Sequence, residues 1–211
     1  MTGAASTGRW TIIWLGVFTA VFVWSAIAPK DFPTWVLEVL PAVIALFILA
    51  FTRGSFPLTP LLYVLVLVHC IILMVGGHYT YAEVPAFDWL SEVFGWGRNN
   101  YDKVGHFAQG FIPAVVAREI LLRNDVVQGR AWLACIVVSI CLAISAFYEL
   151  LEWWVAVLYG GSAEQFLATQ GYQWDTQSDM AMALIGAIIA LLTLSRIHDR
   201  QLERFAWKGS E

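Results

Sequence analysis

Tyr101-Asp102-Lys103-Val104-Gly105-His106-Phe107 opens an apolar run that continues to Leu122. A carboxylate and an imidazole therefore enter the edge of a hydrophobic segment. Asp102 and His106 are four residues apart, which on a helix puts them on one face, one turn apart. Ionisable groups are costly in hydrocarbon and are usually turned inward to a site or a partner. The pattern recurs twice: Glu149 and Glu152 lie three apart in the next apolar run, and Asp175 and Asp179 lie four apart at the mouth of the last. Three acidic pairs at helical spacing predict an all-α membrane bundle with a polar site between its helices.

The composition agrees. Of 211 residues, 59% are hydrophobic and only 13% are charged, against about 25% charged in soluble domains. The length fits one integral membrane domain spanning residues 1–211. Net charge is −4 and there is no basic tract, which excludes nucleic acid as a partner and leaves membrane lipid. Cys70, Cys135 and Cys141 fall in apolar runs without CxxC spacing, so they read as packing residues.

Six runs approach the roughly 20 residues that span a bilayer. They are Trp10–Ala28, Thr34–Phe51, Leu58–Gly76, Val104–Leu122, Ala131–Leu158 and Asp179–Ser195. The first could be a cleaved signal, since Ala26-Ile27-Ala28 has small-x-small form. Pro29 directly after it, bulky Trp24 and the single Arg9 before it favour a retained helix. Pro41 and Pro113 lie inside runs and should kink them. Between the third and fourth runs, Ala86–Gly97 sets Phe87, Leu90, Val93, Phe94 and Trp96 against Asp88 and Glu92, the pattern of an amphipathic helix lying at the interface.

Lys and Arg set the orientation. Nine of the twelve fall at one side of the bundle and three (Lys30, Arg98, Lys103) at the other. Both termini are thereby predicted to be cytoplasmic, in a bacterial inner membrane. The acidic pairs then occupy the outer half, with Glu149 and Glu152 roughly 9–14 Å below Leu158 at 1.5 Å per residue.

Each pair has a plain structural reading beside the chemical one. Asp102 suits a helix N-terminus, Asp175 or Ser178 could cap the sixth run, and a buried glutamate can be satisfied by Tyr, Trp or Lys103. Capping explains one acid of a pair, not both. The candidate metal ligands are Asp102, His106, Glu149, Glu152, Asp175, Asp179 and His78, with Glu149, Glu152 and His106 as candidate catalytic groups. His69 reads as packed and His198 as part of a cytoplasmic tail. Trp153 and Trp174 read as interface residues that could also wall a pocket.

The segments "YDKVGHFAQGFIPAVVAREILLR" (101–123), "SAFYELLEWW" (145–154), "TQGYQWDTQSDM" (169–180), "LSRIHDRQL" (194–202) and "GGHYTYAEVP" (76–85) resemble the YjdF-like family of bacterial inner-membrane proteins. The resemblance covers most of the chain after residue 50 and implies a small multi-pass domain without an assigned activity. A fainter similarity is to VanZ-like membrane proteins, whose Asp-Lys-x-x-His-Phe motif is matched by Asp102, Lys103, His106 and Phe107, with Asp179, Ala183 and Gly186 in a later part. Glu149-Leu150-Leu151-Glu152 departs from that pattern, and only a link to the cell envelope is implied.

The functional expectation is an outward-facing His/carboxylate site holding a divalent cation. Metal-assisted hydrolysis or transfer on an envelope or lipid-linked substrate would be its chemistry. Oxygen ligands suit Mg²⁺, Ca²⁺ or Mn²⁺, and histidine admits Zn²⁺ or Fe. Lys103 and Arg98 are the only nearby cations in sequence, and on an ideal helix Lys103 points about 100° away from Asp102, so the acids are expected to lack a sufficient counter-charge and either to hold protons or to bind a cation. The alternatives are a proton-coupled or ion-linked carrier, against which no inverted repeat is visible, and a non-catalytic scaffold whose polar core fixes helix packing.

Overall fold

A computed structural model describes residues 2–159 and 170–206. Among these residues it contains α-helices and no strand: α1 (Thr2–Ala26), α2 (Phe32–Thr52), α3 (Pro60–Tyr79), α4 (Pro85–Phe94), α5 (Tyr101–Arg123), α6 (Arg130–Tyr159) and α7 (Asp175–Ala206). Residues 160–169 of the 159–178 connection lie outside the described residues.

Five of these helices are long and apolar enough to cross a membrane: α1, α2, α3, α6 and α7. Their lipid-facing surfaces carry exposed Trp10, Phe47, Phe51, Trp132 and Leu192. α5 is different. It has 23 residues but low mean hydropathy, because Asp102, Lys103, His106, Gln109, Arg118, Glu119 and Arg123 all lie on it. It is also the helix most enclosed by protein, with eleven buried residues. A helix wrapped by others meets protein rather than lipid, so its sequence need not be apolar.

α5 and α7 form the most extensive pair, and α6 packs on both. The crossing is tight because small residues line it. A Cβ at Gly110 would overlap the Ala183 carbonyl, and one at Gly186 would overlap the Phe107 carbonyl. Ala114, Ala183, Ala187 and Ala190 continue the seam, all fully buried. Small residues allow backbones to approach closely where lipid offers no hydrophobic drive. α3 links this group to α1 and α2. α1 is bound to α3 by the Trp14 indole, which donates to the Tyr63 carbonyl at 2.7 Å. It also joins a core of Phe18, Val39, Ala42, Cys70 and Met74.

Helix starts follow the local chemistry. Asp31 caps α2 by accepting from the Thr34 amide at 2.8 Å. Pro60 and Pro85 occupy first turns, where an N–H has no intrahelical acceptor. α7 runs eleven residues beyond the apolar limit at Ser195. Its polar extension persists because His198 and Gln201 turn back into the bundle: His198 is fully buried, and Gln201 accepts from the Leu61 amide at 2.9 Å. α4 buries none of its residues and exposes Trp89, Val93 and Phe94.

One turn shapes the interior. After α3, Thr80 and Tyr81 both adopt left-handed backbone, with φ of 62° and 52°, a costly conformation for residues bearing a Cβ. It sends the Tyr81 ring back between α3 and α5. The ring occupies the space that side chains at Gly76 and Gly105 would need.

Candidate functional site

At the end where α3 finishes and α5 and α7 begin, five charged side chains interlock. Lys103 Nζ lies 2.8 Å from Asp175 Oδ1, 2.8 Å from Asp179 Oδ1 and 3.3 Å from Asp102 Oδ2. Arg98 pairs with Asp102 and, at 2.6 Å, with Asp175. None of the five side chains is more than 15% exposed. This corrects the expectation that the acids lack a sufficient counter-charge. The helical wheel fixes where Lys103 leaves the backbone, but its four-carbon stem carries the ammonium across to the α7 acids. Tyr172 covers both cations, with its ring centroid 5.5 Å from Arg98 Cζ and 5.8 Å from Lys103 Nζ. Gln170 fixes this cover by bonding the Asn99 amide at 3.0 Å and the Asn99 carbonyl at 2.8 Å.

One turn deeper, His106, Glu149 and Asp179 converge from α5, α6 and α7. His106 Nδ1 is 3.8 Å from Glu149 Oε1, and its Nε2 is 3.7 Å from Asp179 Oδ1. Nδ1 also lies 3.3 Å from Gln109 Oε1. With the proton on Nδ1 and shared with Gln109, the Nε2 lone pair faces Asp179. That is the usual way a second partner orients a metal-binding imidazole. Glu149 is buried, and Thr176 is a hydrogen-bonding partner of its carboxyl; among the described residues Oε1 has no donor. Donor atoms of these three residues all lie within 4.8 Å of one another, and so do those of Asp102, Asp175 and Asp179. The second group already surrounds the Lys103 ammonium. Asp179 Oδ1 is common to both groups and takes the ammonium as well, while Glu149 and His106 of the first group neither pair with it nor hydrogen-bond to it.

Beside this triad is a cavity of about 180 Å³. His106, Asp102 and Asp179 line its outer part, while His69, Gln109 and Pro113 lie deeper. α2 contributes Glu38 and Pro41, and α6 contributes Ile144, Tyr148 and Glu152. Both helix-interior prolines thus face the cavity, each removing the amide that would bond the carbonyl four residues earlier. His69, expected to be packed, is a wall residue.

Glu38 has no counterpart in the sequence reading. It is 4% exposed, and its Oε2 accepts from the Tyr148 hydroxyl at 3.0 Å. Tyr81 is its second hydrogen-bonding partner. Burial, followed by the charge of Glu38, holds the Tyr81 phenol well above its ordinary range, so it stays a neutral donor. His78 is not brought to the cluster. Its Nδ1 contacts the Ser25 carbonyl at 3.1 Å and its ring lies against Trp24, because it leaves α3 on the side where α1 packs. Trp153 and Trp174 are exposed and do not line the cavity.

A second polar network occupies the opposite end. Glu119, fully buried, accepts from the Thr59 amide at 3.1 Å, the Thr59 hydroxyl at 2.8 Å, Arg123 at 2.9 Å and His198 Nε2 at 2.9 Å. Arg118 Nη1 donates to His198 Nδ1 at 2.9 Å, and its Nη2 to Asp199 at 2.6 Å. A guanidinium can only donate, so Nδ1 must accept and Nε2 must carry the proton. His198 is therefore a neutral bridge inside the bundle, not a tail residue. Between the two polar ends lies an apolar layer of Ala114, Val115, Val137, Cys141, Ala187 and Ala190.

Apolar helices around one polar helix, with a charged pocket at one end, define a polytopic helical membrane protein. The chain belongs to the family described as predicted membrane protein DUF2238, whose model matches residues 10–200. It is 52% identical over 187 residues to the inner membrane protein YjdF of Escherichia coli (strain K12), covering 89% of this chain and 90% of that protein. No solved structure matches. The multi-pass, inner-membrane character expected from the sequence is thus shown.

Proposed function

We propose that His106, Glu149 and Asp179 hold a divalent cation in a pocket open to the periplasm. The observation that carries this reading is Glu149 Oε1, buried without a hydrogen-bond donor among the described residues and 3.8 Å from His106 Nδ1. A buried acceptor left unmade is costly, and a cation shared with His106 and Asp179 would satisfy it. One imidazole and two carboxylates suit Zn²⁺, Mn²⁺ or Fe²⁺. Asp102 and Asp175 then serve as partners that fix Lys103 and Arg98 rather than as ligands. Glu152, on the cavity wall one turn from Glu149, is placed to carry a proton in metal-assisted hydrolysis or transfer on an envelope or lipid-linked substrate.

In this reading six helices cross the membrane, α5 among them despite its polarity, and both termini are cytoplasmic. α4 lies in the outer interface with Trp89, Val93 and Phe94 towards lipid. The apolar layer around Ala114 and Val137 supports a site served from one side over a carrier.

Elemental mass spectrometry on protein purified without chelators tests the proposal. About one equivalent of a transition metal is expected. Chelation should lower the melting temperature, since a ligand at 100–1,000 times its dissociation constant stabilises by about 3–4 kcal/mol. Glu149→Gln and His106→Ala should abolish both signals. Metal-free protein whose melting temperature ignores chelator would refute the site.

A further inference from the structure

α2 and α6 both wall the cavity, yet they do not pack along one another. The Tyr148 hydroxyl bridges the gap to Glu38. Both helices also carry exposed apolar side chains, including Val36 and Leu40 on α2 and Phe147 and Leu151 on α6. Glu152 lines the cavity while remaining half-buried.

The charge inside is one-sided. Glu38, Asp102, Glu152 and Asp179 line the cavity, and among the described residues no Lys or Arg does. Lys103 and Arg98 meet Asp102 and Asp179 from above. Among the described residues, neither Glu38 nor Glu152 has a basic side chain within ion-pair distance. The rings of Tyr81 and Tyr148 stand beside them.

We propose that this cavity receives, through the cleft between α2 and α6, the protonated amine of a phospholipid headgroup, seated against Glu38 and Glu152. Carboxylates satisfy an ammonium by charge-assisted hydrogen bonds, and tyrosine rings add cation–π attraction. A cavity of about 180 Å³ is many times the roughly 10–15 Å³ that one water needs, which is room for an aminoethyl group. The route follows from the same charges. An amine arriving from water would first meet Arg98 and Lys103 under Tyr172, whereas an amine on a lipid meets apolar side chains and then Glu152. The inference rests on the outward-facing pocket proposed above, but it uses carboxylates other than the cation ligands.

Native mass spectrometry of the detergent-purified full chain, with equal amounts of phosphatidylethanolamine, its N-acetylated form and phosphatidylglycerol, tests this. Phosphatidylethanolamine should be retained about tenfold over the other two, the size of one charge-assisted hydrogen bond. Glu38→Gln should erase the preference. Glu152→Gln should do the same, and among the described residues it removes no hydrogen bond; an unchanged melting temperature checks that the fold is kept. Equal retention of the acetylated lipid would overturn amine recognition. Free ethanolamine that binds as well as the lipid, with the same dependence on Glu152, would overturn lateral access from the bilayer. Repeating the comparison in chelator separates the two readings. A preference that persists without metal supports amine recognition even if the cation site fails. Loss of the preference in a protein that still binds metal defeats this inference alone.

Discussion

Replacing Glu119 by glutamine exchanges one carboxylate oxygen for an NH₂ group and removes a charge, with almost no change in shape. Four donors converge on that carboxylate: the Thr59 amide, the Thr59 hydroxyl, Arg123 and His198 Nε2. Glutamine offers one acceptor oxygen, so the donors on the other oxygen would face an NH₂. If the oxygen stays where Oε1 is, the Thr59 hydroxyl and His198 lose their acceptor. His198 cannot respond by moving its proton, because Arg118 donates to Nδ1. Each buried donor left unmade costs about 1–3 kcal/mol, and breaking a buried charge network costs about 3–5 kcal/mol. We take about 3–5 kcal/mol as the destabilisation. With about 2–4 °C per kcal/mol for a chain of this size, the melting temperature in detergent should fall by about 6–20 °C. Circular dichroism at 222 nm on matched preparations measures it. A shift under about 2 °C, within the range of ordinary surface substitutions, would show that the network does not hold α3, α5 and α7 together.

Two further outcomes are expected. Gly186→Leu forces a side chain into the Phe107 carbonyl and should destabilise by at least about 1–3 kcal/mol, whereas Gly16→Leu, at a position with nothing within 4 Å, should be silent in the same melt. In a background with the native cysteines replaced, Glu92→Cys on α4 should react with an impermeant maleimide in intact spheroplasts; reaction only after lysis would reverse the proposed orientation.

The parts of the fold legible in the sequence are those whose signal is a cost. Paired acids inside apolar runs are expensive in hydrocarbon, so Asp102, Glu149 and Asp179 announced a shared interior. α5 was read from the sequence as the apolar run Val104–Leu122, yet it falls below the hydropathy of the other long helices, and its charged residues are what mark its interior place. Glu38 obeys the same rule but stands alone in its run, and a reading that looked for pairs passed over it. A lone glutamate one turn before Pro41 was the available signal. Glu119 was hidden differently: it sits between Arg118 and Arg123, where the basic residues were read for orientation alone. Lys103 and His78 show the limit of wheel arguments. The reach of a lysine and the side of α3 that α1 would cover are tertiary facts, and no spacing in the sequence encodes either.

The apolar layer formed by Ala114, Val115, Val137, Cys141, Ala187 and Ala190 acts as the dielectric of a capacitor, with a polar plate on each side. A membrane potential of 100 mV does about 2.3 kcal/mol of work on a unit charge carried through its full drop. The drop concentrates where the medium is driest. A charge entering the cavity from its own side stops short of that layer and traverses only a fraction of the field. Its occupancy should follow the concentration on the side to which the cavity opens and respond weakly to how strongly the membrane is energised.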